Sequence, residues 1–411
     1  MGLAIVRPFV LFAYALVSRS LLGIKSCRCH HPMAKLSITI LSFMSAAAIA
    51  LAAANTPPTI TVPASSGDNL ARHQAILTLH PGEARCANGT LDISGIETPL
   101  PQFVWGLDQT DDKSITYNFR VDDTGRAFGI TRSMASAANY QFSDIGPSLA
   151  ASQFVARLAR SECSITYTVK RSKIADADRD ALIQYSVFAN GRPPEEVFKR
   201  LSPAGSTCFE QRPSVLVRAF PDFSKVPSAA AQLNWSMVQF DIDADGKPIS
   251  IGTHATSGSS ALDKAAIEAV SESRFGKAAK KGCLYPYWQQ GRTLAAPIGP
   301  ETESYRKDGA TCPVDIDWES KPVSIYPDSF RRRGIDGWAI ISFDVAPWGA
   351  TGNINVVAAE PSSEFGDAAT NLIRSAKVAV SGQGYGNCFE HVRYAMQGSR
   401  NEESESSRPG G

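Results

Sequence analysis

The alternation of apolar and polar positions is clearest between Lys321 and Met396. Two apolar runs, Gly337–Val345 and Asn353–Ala358, flank a Pro-Trp-Gly turn, which predicts a β-hairpin. A polar-aromatic segment before the hairpin predicts a short helix, and Phe389–Met396 predicts a last strand. Between hairpin and last strand, apolar residues recur three and four positions apart and predict one buried helix face: Phe365, Ala368, Ala369, Leu372, Ile373 and Ala376. The order predicts a small sheet covered by helices.

The same pattern occurs twice more, earlier in the chain. A shift of 103 residues places Trp235, Phe240, Asp241 and Gly246 on Trp338, Phe343, Asp344 and Gly349. A more divergent copy keeps the six-residue interval from Phe119 to Gly125, has Ser114 in place of the tryptophan, and predicts a helix from about Ser148. Internal repeats decide the architecture. The predicted fold class is therefore α+β, with three tandem small domains, each a short antiparallel sheet with two helices packed on one face.

The beginning of the chain predicts an export signal. Lys35 precedes the apolar stretch Leu36–Ala52, which ends in Ala-x-Ala, so residues 33–54 have the layout of a cleaved signal peptide. An uncleaved anchor is the alternative, because the stretch is just long enough to span a bilayer. Residues 1–32 are interpreted as a start-site artefact. They also contain four residues of types that bind metal ions: Cys27, Cys29, His30 and His31. Because these four lie so close together in the sequence, a metal site is the weaker interpretation of residues 1–32.

Six cysteines repeat with the pattern. In each copy one cysteine precedes the first predicted helix and another stands just before the last strand. Their even number, regular spacing and the export signal favour disulfides over buried free thiols. Closing loops of this size stabilises each small domain by about 4 kcal/mol. The predicted pairs, 77, 75 and 76 residues apart, are Cys86–Cys163, Cys208–Cys283 and Cys312–Cys388.

Pro- and Gly-rich stretches and changes in composition divide the exported chain. Helices are expected at Asp176–Phe188 and Glu195–Leu201, between the first two copies. The polar tail is expected to be disordered. The predicted organisation is a flexible lead-in (55–80), repeat 1 (81–171), a helical connector (172–203), repeat 2 (204–291), a linker (292–309), repeat 3 (310–397) and the tail (398–411).

Charge and motifs exclude several classes of function. Residues 1–54 hold five basic and no acidic residues, which leaves 36 Lys and Arg against 40 Asp and Glu in the exported chain. No basic stripe interleaved with aromatic residues is present, so nucleic-acid binding is not predicted. No phosphate-binding Gly-rich loop, nucleophile elbow or metalloprotease motif occurs. We therefore predict no catalytic residues, no metal site and no cofactor, and the protein is not expected to be an enzyme.

Two acidic motifs resemble functional ones. Asp241–Gly246 begins like a calcium-binding loop, but the twelfth position, where a bidentate carboxylate is needed, is Gly252. The triplet Asp123–Gly125 matches that of aspartic proteases, yet the repeat places it at a hairpin turn. Turn-forming Asp-Gly is the preferred interpretation of the first motif.

Histidine and arginine positions also give no metal or catalytic site. His73, His80, His254 and His391 are scattered and have no paired ligand spacing. Arg331–Arg333 is interpreted as the solvated end of the first helix in repeat 3, with contact to an acidic partner as the alternative.

The third copy resembles the C-terminal domain of the TonB family. The residues that carry the resemblance are spaced along the copy and agree in order: Tyr326–Pro327, Gly334, Gly337–Trp338, Phe343–Val345, Gly349, Pro361–Ser362, Phe365 and Ala368–Ala369. The resemblance implies a small α+β domain that binds proteins rather than one that catalyses a reaction.

The resemblance also implies a binding strand. In that family the strand after the second helix accepts an extended segment of an outer-membrane receptor, by adding it to an unpaired sheet edge. The corresponding strands of the earlier copies are Ser164–Lys170 and Leu284–Gln289, and Pro286 weakens the second because proline removes a ladder donor. The predicted partner-binding residues are Phe389, His391, Val392, Arg393, Tyr394 and Met396.

Three functions follow from this resemblance. The first is a periplasmic protein of outer-membrane transport that binds peptide segments of a receptor or another envelope protein. The second is an energy transducer for TonB-dependent receptors, anchored in the inner membrane by an uncleaved signal. The third is a purely structural periplasmic adaptor whose edges pair with a neighbouring copy. A transducer needs a long Pro-rich spacer, and only a short Pro-containing stretch follows Ala54, so the soluble binding protein is preferred.

Overall fold

The computed structural model describes residues 74–105, 114–133, 144–155, 159–189, 191–305, 309–320 and 324–396. The predicted start-site artefact, the signal peptide, most of the lead-in and the C-terminal tail lie outside the described residues. Within them, no helix is both long enough and apolar enough to cross a membrane. The α-helices are α1 (Ile145–Ala151), α2 (Arg179–Phe188), α3 (Glu195–Leu201), α4 (Ser260–Glu272), α5 (Asp328–Arg333) and α6 (Ser363–Ser375).

The strands form small antiparallel sheets. They are β1 (Gln74–Cys86), β2 (Gly89–Leu91), β3 (Ile93–Gly95), β4 (Gln102–Trp105), β5 (Ser114–Val121), β6 (Ala127–Arg132), β7 (Gln153–Phe154), β8 (Arg160–Lys173), β9 (Val215–Val217), β10 (Leu233–Ile242), β11 (Pro248–Thr256), β12 (Arg274–Phe275), β13 (Lys280–Gln290), β14 (Trp318–Ser320), β15 (Gly337–Val345), β16 (Thr351–Glu360), β17 (Lys377–Val378) and β18 (Tyr385–Tyr394). Helices and antiparallel sheets together confirm the α+β class.

One element order recurs in three segments of the chain. Each segment has a hairpin, a helix, a two-residue strand and a long strand that returns beside the first strand of the hairpin. The strand orders are β6-β5-β8 in the first sheet, β11-β10-β13 in the second and β16-β15-β18 in the third. The first sheet is wider, because β1 pairs with β8 and in turn carries β2 and β4.

The hairpin turn of each sheet requires glycine. The three turn glycines have φ of +86°, +83° and +87°, a backbone conformation that favours glycine. Each accepts a 2.9 Å hydrogen bond from the two-residue strand that follows the helix. A Cβ on the glycine would lie 2.0–2.1 Å from the carbonyl oxygen of the same strand residue. The glycine and strand pairs are Gly125 with Phe154, Gly246 with Phe275, and Gly349 with Val378.

Helix α6 follows the predicted periodicity. Phe365, Ala369 and Ile373 are buried, and the Ser362 side chain accepts a hydrogen bond from the N–H of Glu364 at the helix start. In the first sheet the helix expected from about Ser148 is Ile145–Ala151. The short helix before the hairpin is present in the third sheet as α5, but in the second it is the 3-10 turn Phe223–Lys225.

The three predicted disulfides are present in the structure. They join Cys86 to Cys163, Cys208 to Cys283 and Cys312 to Cys388. The second cysteine of each pair follows a residue with positive φ, namely Glu162, Gly282 or Asn387. Each disulfide fastens the last strand of a sheet to an earlier segment, which in the first sheet is the end of β1.

The predicted flexible lead-in (55–80) was wrong for its last residues, 74–80, which form part of a strand. Gln74–His80 belongs to strand β1, whose register runs from Ala75 opposite Lys173 to Arg85 opposite Ser164. The physical reason is burial: Ala75, Ile76, Leu77 and Leu79 are each at most 4 % exposed. The apolar run stabilises β1 by removing this surface from water.

The connector helices pack on the second sheet. Leu182, Ile183 and Val187 of α2 share a hydrophobic cluster with Trp235 and Met237 of β10. The opposite face of β10 packs on α4 through Val238 and Phe240. Alternation along the strand produces these two covered faces, so the connector is part of the folded core around the second sheet.

The first and third sheets share one hydrophobic core, which includes Ile145, Leu149, Phe330 and Phe365. Polar contacts join them as well. Glu360 at the end of β16 accepts hydrogen bonds from Arg120 at 2.6 Å and from the N–H of Gly129 at 2.5 Å.

Candidate functional site

The predicted binding strand, β18, lies at the edge of the third sheet. Among the strands the structure describes, it pairs with β15 on one side, with Phe389 opposite Ser342 and His391 opposite Ile340. At its start, Thr311 reaches the other side: its N–H donates to the Gly386 carbonyl at 3.2 Å, and its Oγ1 accepts from the Gly386 N–H at 2.8 Å. Beyond this point no strand of the described chain pairs with the other side of β18, and the 3-10 turn Thr302–Tyr305 lies beside the strand.

One face of β18 is part of the core. Val392 and Tyr394 are buried, at 7 % and 2 % exposure. The Tyr394 ring lies 5.3 Å from Phe365 and 5.6 Å from Tyr326, measured between ring centroids. Tyr326 in turn donates a hydrogen bond to the Ile335 carbonyl at 2.5 Å. These two predicted partner-binding side chains therefore hold the strand in place and are not available to a partner.

The other face lies under the linker. Trp338 on β15 donates from Nε1 to the Pro297 carbonyl at 2.7 Å, and its ring is 5.6 Å from that of His391. A Cβ on Gly299 would lie 3.1 Å from the Trp338 ring and 3.4 Å from the His391 ring. Burial lowers the pKa of His391, and Arg393 lowers it further while Glu301 opposes the shift.

The remaining predicted residues point elsewhere. Arg393 is exposed and Phe389 is half-buried. Met396 lies past the end of the strand, where its N–H donates to Asp336 at 2.8 Å. The six predicted side chains thus form no single patch. What they share is the backbone of one edge strand.

The equivalent edge of the first sheet is filled by the chain itself. Strand β1 pairs antiparallel with β8 along the stretch that includes Ser164–Lys170, with Leu79 opposite Val169 and Thr78 opposite Lys170. Leu77, Leu79 and Ala84 of β1 contribute to the same core as β8. No local sequence pattern predicts this pairing, because the two strands lie far apart in the chain.

The second sheet has an edge strand that contains proline. Pro286 of β13 lies opposite Met237 of β10. Thr207 contacts the start of this strand as Thr311 does in the third sheet: its N–H donates to the Lys281 carbonyl at 3.0 Å. Arg218 stacks 4.5 Å from the Tyr285 ring centroid and donates to the Tyr285 hydroxyl, so a side chain also flanks this edge.

The acidic motifs have structural roles in the turns. Asp243 accepts hydrogen bonds from the N–H groups of Asp245 at 3.0 Å and Lys247 at 2.8 Å. Asp241 accepts from Gly282 at 2.8 Å, and Asp344 accepts from Asn387 at 2.9 Å, next to a disulfide in each sheet. The described residues contain no group of three or more His, Cys, Asp or Glu side chains placed to hold a metal ion.

The interpretation of Arg331–Arg333 as a solvated helix end was wrong for Arg333. Its side chain is 1 % exposed and lies 2.5 Å from Asp144 and 3.1 Å from Glu97. Arg331, by contrast, forms an exposed pair with Asp328. Arg333 is buried because the segment around α1 packs over the end of α5, a contact between distant parts of the chain that local sequence could not indicate.

His254, which has no paired ligand spacing in the sequence, packs between α2 and the second sheet. Its Nε2 lies 3.0 Å from Arg179 Nη2, and its Nδ1 lies 2.9 Å from Gln239 Oε1. Arginine can only donate, so Nε2 accepts and Nδ1 carries the proton. Burial and the neighbouring Arg179 lower the pKa of this histidine.

Comparison with known proteins finds one family whose sequence model matches the second and third sheets. No curated protein matches the chain. The sequence model of the family described as Gram-negative bacterial TonB protein C-terminal matches residues 227–290, which contain β10 to β13, and residues 322–393, which contain α5 to most of β18. The first sheet lies outside both matches. Two segments of the chain, at residues 227–290 and 322–393, are therefore similar to the family described as Gram-negative bacterial TonB protein C-terminal.

Proposed function

We propose that the chain is a periplasmic, TonB-like protein of outer-membrane transport that binds extended peptide segments of a receptor or another envelope protein at the edge of β18. The family implies a role in outer-membrane transport and contact with outer-membrane receptors. The observation that supports the finer proposal is the position of β18 at the edge of the third sheet. An added strand would bind through main-chain hydrogen bonds.

The proposed domain organisation is three tandem copies of one disulfide-pinned module. The shared strand order, the three turn glycines and the three disulfides support it. The first copy is the most changed: it has Arg120 where the others have Asp241 and Asp344, and β1 is built into its sheet.

A purely structural adaptor is the second candidate, and one observation favours it. In the first sheet the corresponding edge pairs with β1 of the same chain. If every such edge served internal pairing or assembly, the protein would organise envelope partners without capturing peptides.

A titration separates the two candidates. The exported chain, purified with its disulfides intact, is titrated into fluorescein-labelled peptides that tile the N-terminal segments of outer-membrane receptors, and anisotropy is measured. Scrambled peptides of the same composition are the controls. Saturable binding of at least one native peptide supports the proposal. Failure of every peptide to bind above its scrambled control contradicts it and leaves the structural adaptor.

A further inference from the structure

We infer that the chain binds one peptide, at the third sheet, because the equivalent edge is filled in the first sheet and lacks a hydrogen-bond donor in the second. The inference rests on the proposed peptide binding and states which of three related strands performs it.

The three last strands can be compared position by position. In each sheet a phenylalanine of the central strand lies opposite the second cysteine of the disulfide: Phe119 with Cys163, Phe240 with Cys283 and Phe343 with Cys388. Three positions further along, the paired residues are Thr116 with Thr166, Met237 with Pro286 and Ile340 with His391. Thr166, Pro286 and His391 therefore occupy the same place.

The first sheet shows which way the backbone points at this place. A Cβ on Gly82 of β1 would lie 2.9 Å from the carbonyl oxygen of Thr166. That carbonyl therefore faces β1, away from the central strand β5. In an antiparallel strand the N–H and C=O of one residue point to the same side. The N–H at this position also faces outward, toward any strand that adds to the edge.

Proline at this position removes that donor. Pro286 has no N–H, so at this position β13 offers an incoming strand a carbonyl acceptor but no N–H donor. Natural sheets use proline in this way to keep an edge strand from pairing. Because the proline nitrogen faces outward, the ladder between β10 and β13 on the inner side is kept.

The first edge is closed in a different way. β1 covers β8 from Ser164 to Lys173, and the disulfide between Cys86 and Cys163 fastens its end. Since Ile76, Leu77 and Leu79 are each at most 4 % exposed, a peptide would have to displace buried side chains to enter. Only the third sheet, among these three, has a residue with an N–H at the outward position and no strand of the described chain beside it.

The experiment measures stoichiometry and affinity by calorimetry on the full exported chain, with the tightest-binding receptor peptide from the tiled set as the probe. Wild type is expected to bind one peptide. Pro286→Ala restores an N–H in the second sheet and is expected to bind two. Pro248→Ala, at the first residue of the opposite edge strand β11, is the matched control and is expected to bind one.

A second pair of variants tests the third sheet. Both His391→Pro and His391→Ala remove the imidazole ring, but only the His391→Pro variant also lacks the backbone N–H at position 391. His391→Pro is expected to weaken binding by about 10- to 100-fold relative to His391→Ala, because a peptide carbonyl is left unpaired. The fold at Pro286 shows that a strand of this kind accepts proline, and thermal unfolding checks that each variant is folded.

The outcomes distinguish the inference from the function on which it rests. If wild type binds no receptor peptide, peptide binding itself fails. If wild type binds more than one peptide, or His391→Pro binds as well as His391→Ala, peptide binding stands and its assignment to the third sheet is overturned. If Pro286→Ala still binds one peptide, the role given to proline is overturned. Pro286→Ala, which is expected to gain a binding site, keeps the inference testable if His391→Pro does not fold.

Discussion

Arg333 and Asp144 form a buried ion pair across 189 residues of sequence, with Arg333 Nε 3.1 Å and Nη2 2.5 Å from Asp144 Oδ2. The pair joins the segment before α1 to the end of α5. Asp144 also accepts a hydrogen bond from the N–H of Leu100 at 3.0 Å, and Arg333 also donates to the Thr98 carbonyl at 3.0 Å. The first and third sheets are therefore held together by a satisfied polar network inside a shared apolar core.

Removing one member of this pair should be costly. Arg333→Met leaves Asp144 buried without its cation, and a broken buried pair destabilises by about 3–5 kcal/mol. Chemical denaturation of residues 55–411 measures the change. Arg331→Met is the matched control: its partner Asp328 is exposed, and exposed pairs contribute only about 0–1 kcal/mol. Equal effects of the two variants would show that Arg333 is not buried in solution.

Glu364 should make the interface between the first and third sheets sensitive to pH. A Cβ on Gly146 of α1 would lie 2.3 Å from its Oε1, so the carboxyl is packed against the first sheet's helix. Burial raises the pKa of Glu364 to about 8 from 4.5, and the negative charges of Asp144 and Asp367 add to the shift. The folded chain therefore binds more protons than the unfolded chain between these pH values.

Stability should consequently fall as the pH rises from 4.5 toward 8, by at most about 1.4 kcal/mol per pH unit from this group. Glu364→Gln removes the titration, so the difference in unfolding free energy between this variant and wild type should grow in favour of the variant over that range. Denaturation at pH 5, 6.5 and 8 measures it. A difference that does not change with pH would contradict the assignment.

Gly349→Ala should destabilise the third sheet by more than about 2 kcal/mol. The residue has φ of +87°, and the new Cβ would lie 2.0 Å from the Val378 carbonyl oxygen, so both backbone strain and a clash oppose it. Gly352→Ala is the matched control on the following strand, where a Cβ would meet nothing within 4 Å. Thermal unfolding of both variants measures the loss, and equal losses of stability would contradict the steric role of Gly349.

The periodic parts of the fold could be predicted from the sequence, and the long-range contacts could not. Local patterns located helix α6 and the hairpins, and the regular interval between cysteines, with their even number and the predicted export signal, located the three disulfides. Strand β1 was missed because its apolar run is interrupted after Leu79 by His80, Pro81 and Gly82, and its partner β8 lies many residues downstream.

For the site, the sequence predicted the strand but not the state of its edge. The same alternation of apolar residues occurs in β8, whose edge is covered by β1, and in β18, which lies at the edge of its sheet. Which side chains point inward also depended on packing: Tyr394 is buried against Phe365, and His391 lies beneath Gly299. Only Pro286 gave a local signal about an edge, since proline lacks the ladder donor.

Amide hydrogen exchange of residues 55–411, measured with and without the tightest-binding receptor peptide, tests whether a peptide adds to β18. An added strand forms hydrogen bonds to the outward N–H groups of β18 and slows their exchange. We expect slower exchange in Phe389–Tyr394 when peptide is bound, with exchange in Leu284–Gln290 of the second sheet unchanged. Unchanged exchange in Phe389–Tyr394 under saturating peptide would contradict it.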